Sequence, residues 1–233
     1  MALILNIETS TEVCSVCFAQ DGKVIALKEN NEGQTHAKLL TVFIEDLLKE
    51  KKLKVADFDA VAVSMGPGSY TGLRIGVSTA KGLAYAANIP LIAINTLQSI
   101  ADGLVQQDKQ KINQNAWVCP MIDARRMEVY TAFFNIENVA ESEISADIID
   151  ENSYQKILDD RQVVFCGNGS AKCKDTIKHK NAIFVDDIEC SSSYMALLAE
   201  KAFLNSDFVD VAYFEPYYLK NFVATIPKKN IFK

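Results

Sequence analysis

A chain of 233 residues with 49% hydrophobic and 23% charged content has ordinary globular composition, enough for one large domain or two lobes with separate cores. Its net charge of −6 and pI near 5.1 argue against strong nucleic-acid binding by the surface as a whole. RNA contact would need a basic partner or a local patch. No leader pattern precedes the first strand, and no apolar run reaches the ~18 residues of a membrane span. Six scattered cysteines fit a reducing compartment, so a cytoplasmic protein without a membrane segment is expected.

Residues 2–7 read as an apolar strand that ends in the polar turn Glu8-Thr9-Ser10-Thr11. Residues 12–19 alternate as a second strand. Cys14 and Cys17 make a C-x-x-C pair there, but a strand sends them to opposite faces, so they read as small buried hydrophobes. Asp21-Gly22 signals a hairpin into a third strand over 23–29. A helix follows from about His36 to Lys49, with Leu39, Leu40, Phe43, Ile44 and Leu47 on one face. Lys49, Lys51, Lys52 and Lys54 gather at its C-terminal end, where the dipole favours cations, and read as a solvated helix end.

Ala60 to Ser64 form a buried strand that leads into the run from Met65 to Gly76. Gly66, Pro67 and Gly68 give the turn its freedom, and Ser69, Thr71 and Arg74 open a helix that runs to about Ala87. Helix starts attract anions. The spacing, however, is neither G-x-G-x-x-G nor a P-loop, and it reads as a tight strand-to-helix connection. Gly72, Gly76 and Ala80 fall four apart, and Thr79 and Leu83 extend that face. Glycine in a helix costs about 1 kcal/mol against alanine, so two on one face need a reason. Small residues at this spacing admit a close helix, and the expected occupant is a packed helix, internal or from a partner.

Ile89 to Ile94 form another short strand, after which Asn95-Thr96 cap a helix carrying Leu97, Ile100, Ala101 and Leu104. Residues 106–115 are polar and read as a linker. Strand 116–122 ends at Asp123, turns through Ala124-Arg125-Arg126, and returns over 127–135. This repeats the opening at Glu8 about half a chain later and suggests an internal duplication in an α/β protein. Val163 to Cys166 lead into a second glycine turn, Gly167-Asn168-Gly169-Ser170, before a helical segment. Ser192 or Ser193 caps a further helix to about Leu204. The aromatic end, with Phe208, Tyr213, Phe214, Tyr217, Tyr218, Phe222 and Phe232, is expected to pack back on the body.

Candidates for chemistry are few. His36 and His179 are the two histidines, both read as surface residues, and neither belongs to an H-x-x-x-H pair. Gly66-Pro67-Gly68-Ser69-Tyr70 does not match the G-x-S-x-G elbow. Glu8 and Asp123 each read alone as a solvated turn carboxylate. Together they are the candidates to flank an interlobe cleft and hold magnesium.

Two lobes with related openings, acidic strand ends and glycine turns resemble the actin-like ATPase superfamily. Four segments in order are similar to the bacterial TsaB family, also called YeaZ: Leu5 to Ser10, Gly66 to Gly76, Met121 to Tyr130 and Pro216 to Asn221. Glu8 stands where an aspartate is more usual. The resemblance implies two actin-like (ASKHA) lobes, each a mixed sheet with flanking helices: residues 1–105 with the partner-binding helices, and residues 106–233. It implies a non-catalytic, activating role in making threonylcarbamoyladenosine on tRNA next to the anticodon. The chain would form a heterodimer with the catalytic subunit TsaD, join the ATPase TsaE in a complex, and reach tRNA through that complex. It implies no cofactor of the chain's own, ATP or ADP with Mg at the level of the complex, and a possible homodimer when alone. On this resemblance Gly72, Gly76, Thr79, Ala80 and Leu83 face a partner helix, and Leu39, Leu40 and Phe43 are split between core and interface. The competing expectation is an actin-like ATPase or kinase using Glu8, Asp123, Gly167 and Gly169. A peptidase has no residues to support it.

Overall fold

The computed structural model of the chain describes residues 2–33, 36–108 and 112–220. The expectations for Phe222, Phe232 and Asn221 lie outside these. β1 (Leu3–Glu8) is covered on both faces: Leu5 and Ile7 join one core and Ile4 another, the period-two alternation of an extended chain. It pairs antiparallel with β2 (Cys14–Gln20), which pairs antiparallel with β3 (Lys23–Asn30). On the other edge β1 runs parallel to β4 (Ala60–Gly66), and β4 parallel to β5 (Leu91–Asn95). The order is β3-β2-β1-β4-β5.

Helices α1 (His36–Lys51) and α2 (Tyr70–Ala87) cover one face of this sheet. Leu40, Ile44 and Leu47 from α1 meet Val77, Ala80 and Ala84 from α2 over Leu5, Ile7, Val61 and Val63. α2 stops at Asn88, whose left-handed backbone turns its N–H back onto the Ala84 and Tyr85 carbonyls. α3 (Thr96–Asp108) starts straight from β5 and is capped as expected: Asn95 Oδ1 accepts from Leu97 N at 2.9 Å and Gln98 N at 3.3 Å.

The second half rebuilds the same sheet. β6 (Trp117–Asp123), β7 (Glu128–Thr131), β8 (Ser145–Ile148), β9 (Val163–Cys166) and β10 (Ala182–Phe184) lie in the order β8-β7-β6-β9-β10. β6–β7 and β7–β8 are antiparallel, β6–β9 and β9–β10 parallel, as in the first sheet. Order and direction agree strand for strand, so the duplication hinted at by Glu8 and Asp123 is a duplication of architecture.

Two elements and one helix cap depart from the sequence reading. The strand expected over 127–135 ends at Thr131, and Phe134 rejoins the sheet only as an isolated bridge to Val118. The helical segment after Gly169 is one 3-10 turn, Ala171–Cys173, where the first half has the long α2. Between β8 and β9 the chain keeps only the short α4 (Gln155–Asp160). The last helix, α5 (Ala196–Leu204), is preceded by a 3-10 turn capped by Ser191, one residue before the expected caps.

The two halves exchange their final helices. Leu97, Ile100 and Leu104 of α3 pack on Val118, Ile122 and Val164 of the second sheet. Ala199 of α5, with Met195 before it, packs on Ile4, Ala62, Ile92 and Ile94 of the first. The tail then returns to the first half: Val209 N donates to Leu91 O at 2.9 Å, and Lys81 Nζ to Phe214 O at 2.8 Å. Among the described residues no helix is long and apolar enough to cross a membrane.

α3 meets the 3-10 turn before α5 where Gly103 faces the ring of Tyr194, whose hydroxyl accepts from Gln107 Nε2 at 2.6 Å. A Cβ at Gly103 would overlap the Tyr194 ring. Gly103→Ala is expected to cost about 1–3 kcal/mol through overpacking, despite alanine's better helix propensity. A melting curve unchanged or raised by Gly103→Ala would contradict this packing.

Candidate functional site

Three of the segments carrying the family resemblance, the β1 turn, the start of α2 and the described part of the tail, meet at one place in the fold, and the tail's Lys220 reaches the fourth at Glu128. The turn after β1 lies against the start of α2, and Thr9 Oγ1 donates to Gly72 O at 2.8 Å. One residue on, Ser10 O accepts from Ser69 N at 2.6 Å. A Cβ on Gly72 would strike Thr9 O, one on Gly76 would strike Thr9 Oγ1, and one on Gly68 would strike Ser10 O. Gly72 and Gly76 therefore open a notch that the chain's own turn fills. Ala80, fully buried, continues that face into the core under the sheet. This corrects the expectation that Gly72, Gly76 and Ala80 face a partner helix. The other named positions differ: Leu40 is core, while Leu39, Phe43, Thr79 and Leu83 stay half-buried on α1 and α2.

The tail closes the turn from the opposite side. Gly66 has φ +112°, and a Cβ there would lie 2.6 Å from Tyr217 O. Tyr217 N donates to Met65 O at 2.7 Å. Ser69 caps α2, its Oγ accepting from Gly72 N at 3.3 Å. With Ser69 N already bonded to Ser10 O, two amides at this helix start are spent internally. The turn is the tight connection expected rather than an anion grip. Pro67 is buried, whereas Thr71 and Arg74 are exposed. Arg74 lies over the Tyr70 ring, 5.3 Å from its centroid, and Tyr70 packs against Tyr218 with centroids 4.7 Å apart and planes tilted by 34°.

Glu8 and Asp123 occupy unlike environments. Glu8 is buried, and its Oε1 accepts from Ser10 N at 2.6 Å and Ser64 Oγ at 2.8 Å. Its Oε2 has no partner among the described residues. Burial pushes this carboxyl above its usual range, against the hydrogen bonds from Ser10 and Ser64. Asp123 is exposed and bonded to Lys172, with Oδ1 also accepting from Arg125 N at 2.8 Å. Gly167 and Gly169 are pressed onto β6, where a Cβ would meet Met121 O at 2.5 Å and Asp123 N at 2.9 Å. Their smallness serves the packing of this turn on its neighbouring strand. Among the described residues no group of three His, Cys, Asp or Glu side chains is arranged to hold a metal.

His36 corrects the surface reading: it is buried, with Nε2 3.2 Å from Val13 O. His179 is half-buried, 3.4 Å from Asp159. Cys14 and Cys17 fall in different cores, as the strand alternation requires, and all six thiols are free and buried. Burial pushes Cys14 up to about 11 and Cys17 to about 12, so neither is a ready nucleophile. Tyr217 and Tyr218 belong to the aromatic end expected to pack back on the body, and they do so here. The sequence did not single out the roles of Thr9 and Tyr70, since a turn threonine carries no periodic signal and only the glycines opposite it hinted at a close neighbour.

Two outcomes follow for this site. Gly76→Ala is expected to destabilise the isolated chain by about 1–3 kcal/mol in urea, because Thr9 and the body of α2 are both fixed. Glu8 binds its proton more tightly when folded, so its contribution falls as pH rises above its usual 4.5 toward the folded-state value. Glu8→Gln should flatten the stability profile over that window. An unflattened profile would mean that another group dominates the titration.

Comparison with known proteins agrees with this architecture. The family model described as TsaD, tRNA N6-adenosine threonylcarbamoyltransferase, matches residues 30–228. A protein of Escherichia coli (strain K12) named tRNA threonylcarbamoyladenosine biosynthesis protein TsaB is 31% identical over 95% of this chain and 96% of its own. A TsaB of the same description from Bacillus subtilis (strain 168) is 28% identical over 84% and 81%. Among solved structures, YeaZ from Pseudomonas aeruginosa superposes with a TM-score of 0.81 at 25% identity, covering 94% of this chain and all of that one. A polyphosphate/ATP-glucomannokinase from Arthrobacter sp. strain KM reaches a TM-score of 0.50 at 10% identity over 88% of this chain and 100% of that one, a likeness of fold alone. With matches along nearly its whole length and an actin-like pair of sheets, the chain belongs to the TsaB (YeaZ) family of tRNA threonylcarbamoyladenosine biosynthesis proteins.

Proposed function

We propose that this chain is a non-catalytic, activating subunit that forms a heterodimer with TsaD and works with TsaE to make threonylcarbamoyladenosine next to the tRNA anticodon. The observation that carries the reading is the outer face of α1 and α2. Leu39, Phe43, Ile75 and Leu83 are only half-buried there, and Val42 is 44% exposed. Gly82 lies on the same exposed side of α2, and a Cβ on it would meet open space. Unlike Gly72 and Gly76, Gly82 has no internal reason to be glycine. Ser78, Gly82 and Ala86 repeat every fourth residue on this exposed side, so the small-residue approach surface lies about a third of a turn from the face first expected.

The histidines support a non-catalytic role. His36 sits against a backbone carbonyl and His179 beside Asp159, so they do not form a pair that could hold a metal. ATP or ADP with Mg then belongs to the complex rather than to this chain, and tRNA is reached within that complex. The cytoplasm is the expected compartment. Alone, the same face is expected to pair with a second copy. The alternative of an ATPase or kinase is not favoured, because Glu8 is enclosed and Asp123 is engaged by Lys172.

Gly82 separates folding from pairing. Gly82→Ala should stabilise the isolated chain by about 0.5–1 kcal/mol, the reverse of Gly76→Ala. Gly82→Leu should leave it folded while weakening co-purification with TsaD by about tenfold or more, roughly 1.4 kcal/mol. Undiminished pairing and tRNA modification with Gly82→Leu would remove this face from the interface. Modification by TsaD and TsaE that proceeds equally well without the chain would overturn the subunit role.

A further inference from the structure

The seam where the tail crosses from the first sheet to the second carries two exposed arginines, Arg125 and Arg126, that the α1–α2 face does not use. Arg125 and Arg126 are consecutive residues in the left-handed region, with φ +73° and +50°. Non-glycine residues pay about 1–2 kcal/mol each for that backbone, and both side chains are exposed. Among the described residues neither makes an ion pair with a carboxylate. The carboxylates of the same hairpin are already engaged: Asp123 with Lys172 and Glu128 with Lys220. Lys220 thereby ties the tail to the β6–β7 hairpin, two residues after Tyr218, which packs tilted against Tyr70 and lies within electrostatic reach of Arg74. Glu215 lies within electrostatic reach of Tyr218, but cations outnumber carboxylates along the seam.

We propose that this seam is a direct RNA contact, with Arg125 and Arg126 on phosphates and Tyr218, packed against Tyr70 near Arg74, against an unpaired base. It rests on the reading above, in which the complex acts on tRNA, and it adds that this chain itself touches the nucleic acid. An acidic chain of net charge −6 holds RNA through a local patch or not at all. Aromatic rings next to a planar guanidinium suit the exposed bases of an RNA loop better than they suit an acidic protein, which needs charge without stacking. At the end of α1, Lys49 is bonded to Glu45 and Lys51 to Glu50, so half of that lysine cluster is already paired.

The test titrates a labelled, unmodified anticodon stem-loop RNA with the reconstituted complex, and in parallel with the full chain alone, at two salt concentrations. Arg125→Asn with Arg126→Asn removes both charges while keeping residues that tolerate the left-handed backbone. The expected result is about a tenfold loss of affinity and a salt slope shallower by about two. Tyr218→Ala should weaken binding about fivefold with the slope unchanged, and the Arg125→Lys, Arg126→Lys pair should bind nearly as the unaltered chain does. Unchanged affinity and slope in the double asparagine variant would overturn the proposal while leaving the subunit role intact. Loss of TsaD pairing with RNA affinity retained would make the seam a protein-docking face and overturn it equally. A chain that neither pairs with TsaD nor affects modification would instead refute the subunit reading, and the titration on the chain alone would still judge the seam.

Discussion

Everything distinctive about the first half of this molecule depends on the seating of the β1 turn in a notch cut by glycine. Thr9 and Ser10 occupy space that side chains at Gly72, Gly76 and Gly68 would take. The contact fixes where α2 starts and how closely it approaches β1, and Thr9 Oγ1 and Ser10 O anchor it by hydrogen bonds. Glycine in a helix is unfavourable, and it persists here because close backbone approach has no other solution. From this one constraint follow the direction of α2, the inward turn of Ala80, and the outward placement of Gly82.

The second organising fact is the mutual dependence of the halves. Each sheet is incomplete on one face until the other half supplies its last helix, and the tail is then stapled back beside Met65. The functional surfaces inherit this arrangement. The α1–α2 face belongs to the first half alone, whereas the Tyr70–Tyr218 contact and the Lys220–Glu128 bond exist only because the tail bridges both. The proposed partner face and the proposed RNA seam therefore share only α2, and variants in their other elements separate the two proposals.

Much of this was legible in the sequence. Apolar runs marked β1 and β4, alternation marked β2, helical periodicity marked α1, and Asn95 marked the start of α3. The paired openings at Glu8 and Asp123 pointed to the duplication. The direction of the small-residue face was not legible. Periodicity groups Gly72, Gly76 and Ala80 on one side of a helix, but what covers that side is set by Thr9, sixty-odd residues earlier. Glu8 was misread for a related reason: its solvation is decided by Ser64, 56 residues away, and by the packing above it. His36 looked exposed at a helix start, yet the carbonyl of Val13 on a separate element receives it. Long-range neighbours, which no local pattern encodes, decided each of these.

The most direct test of the internal notch is a double-mutant cycle between Thr9→Ala and Gly76→Ala, read by urea unfolding of the isolated chain. The Cβ introduced at position 76 collides with Thr9 Oγ1, which Thr9→Ala deletes. The account predicts that the double variant is more stable than the sum of the single effects implies, with a coupling of about 1 kcal/mol or more. Additive losses would mean that Thr9 does not fill the notch, and the glycine face would again be open to a partner.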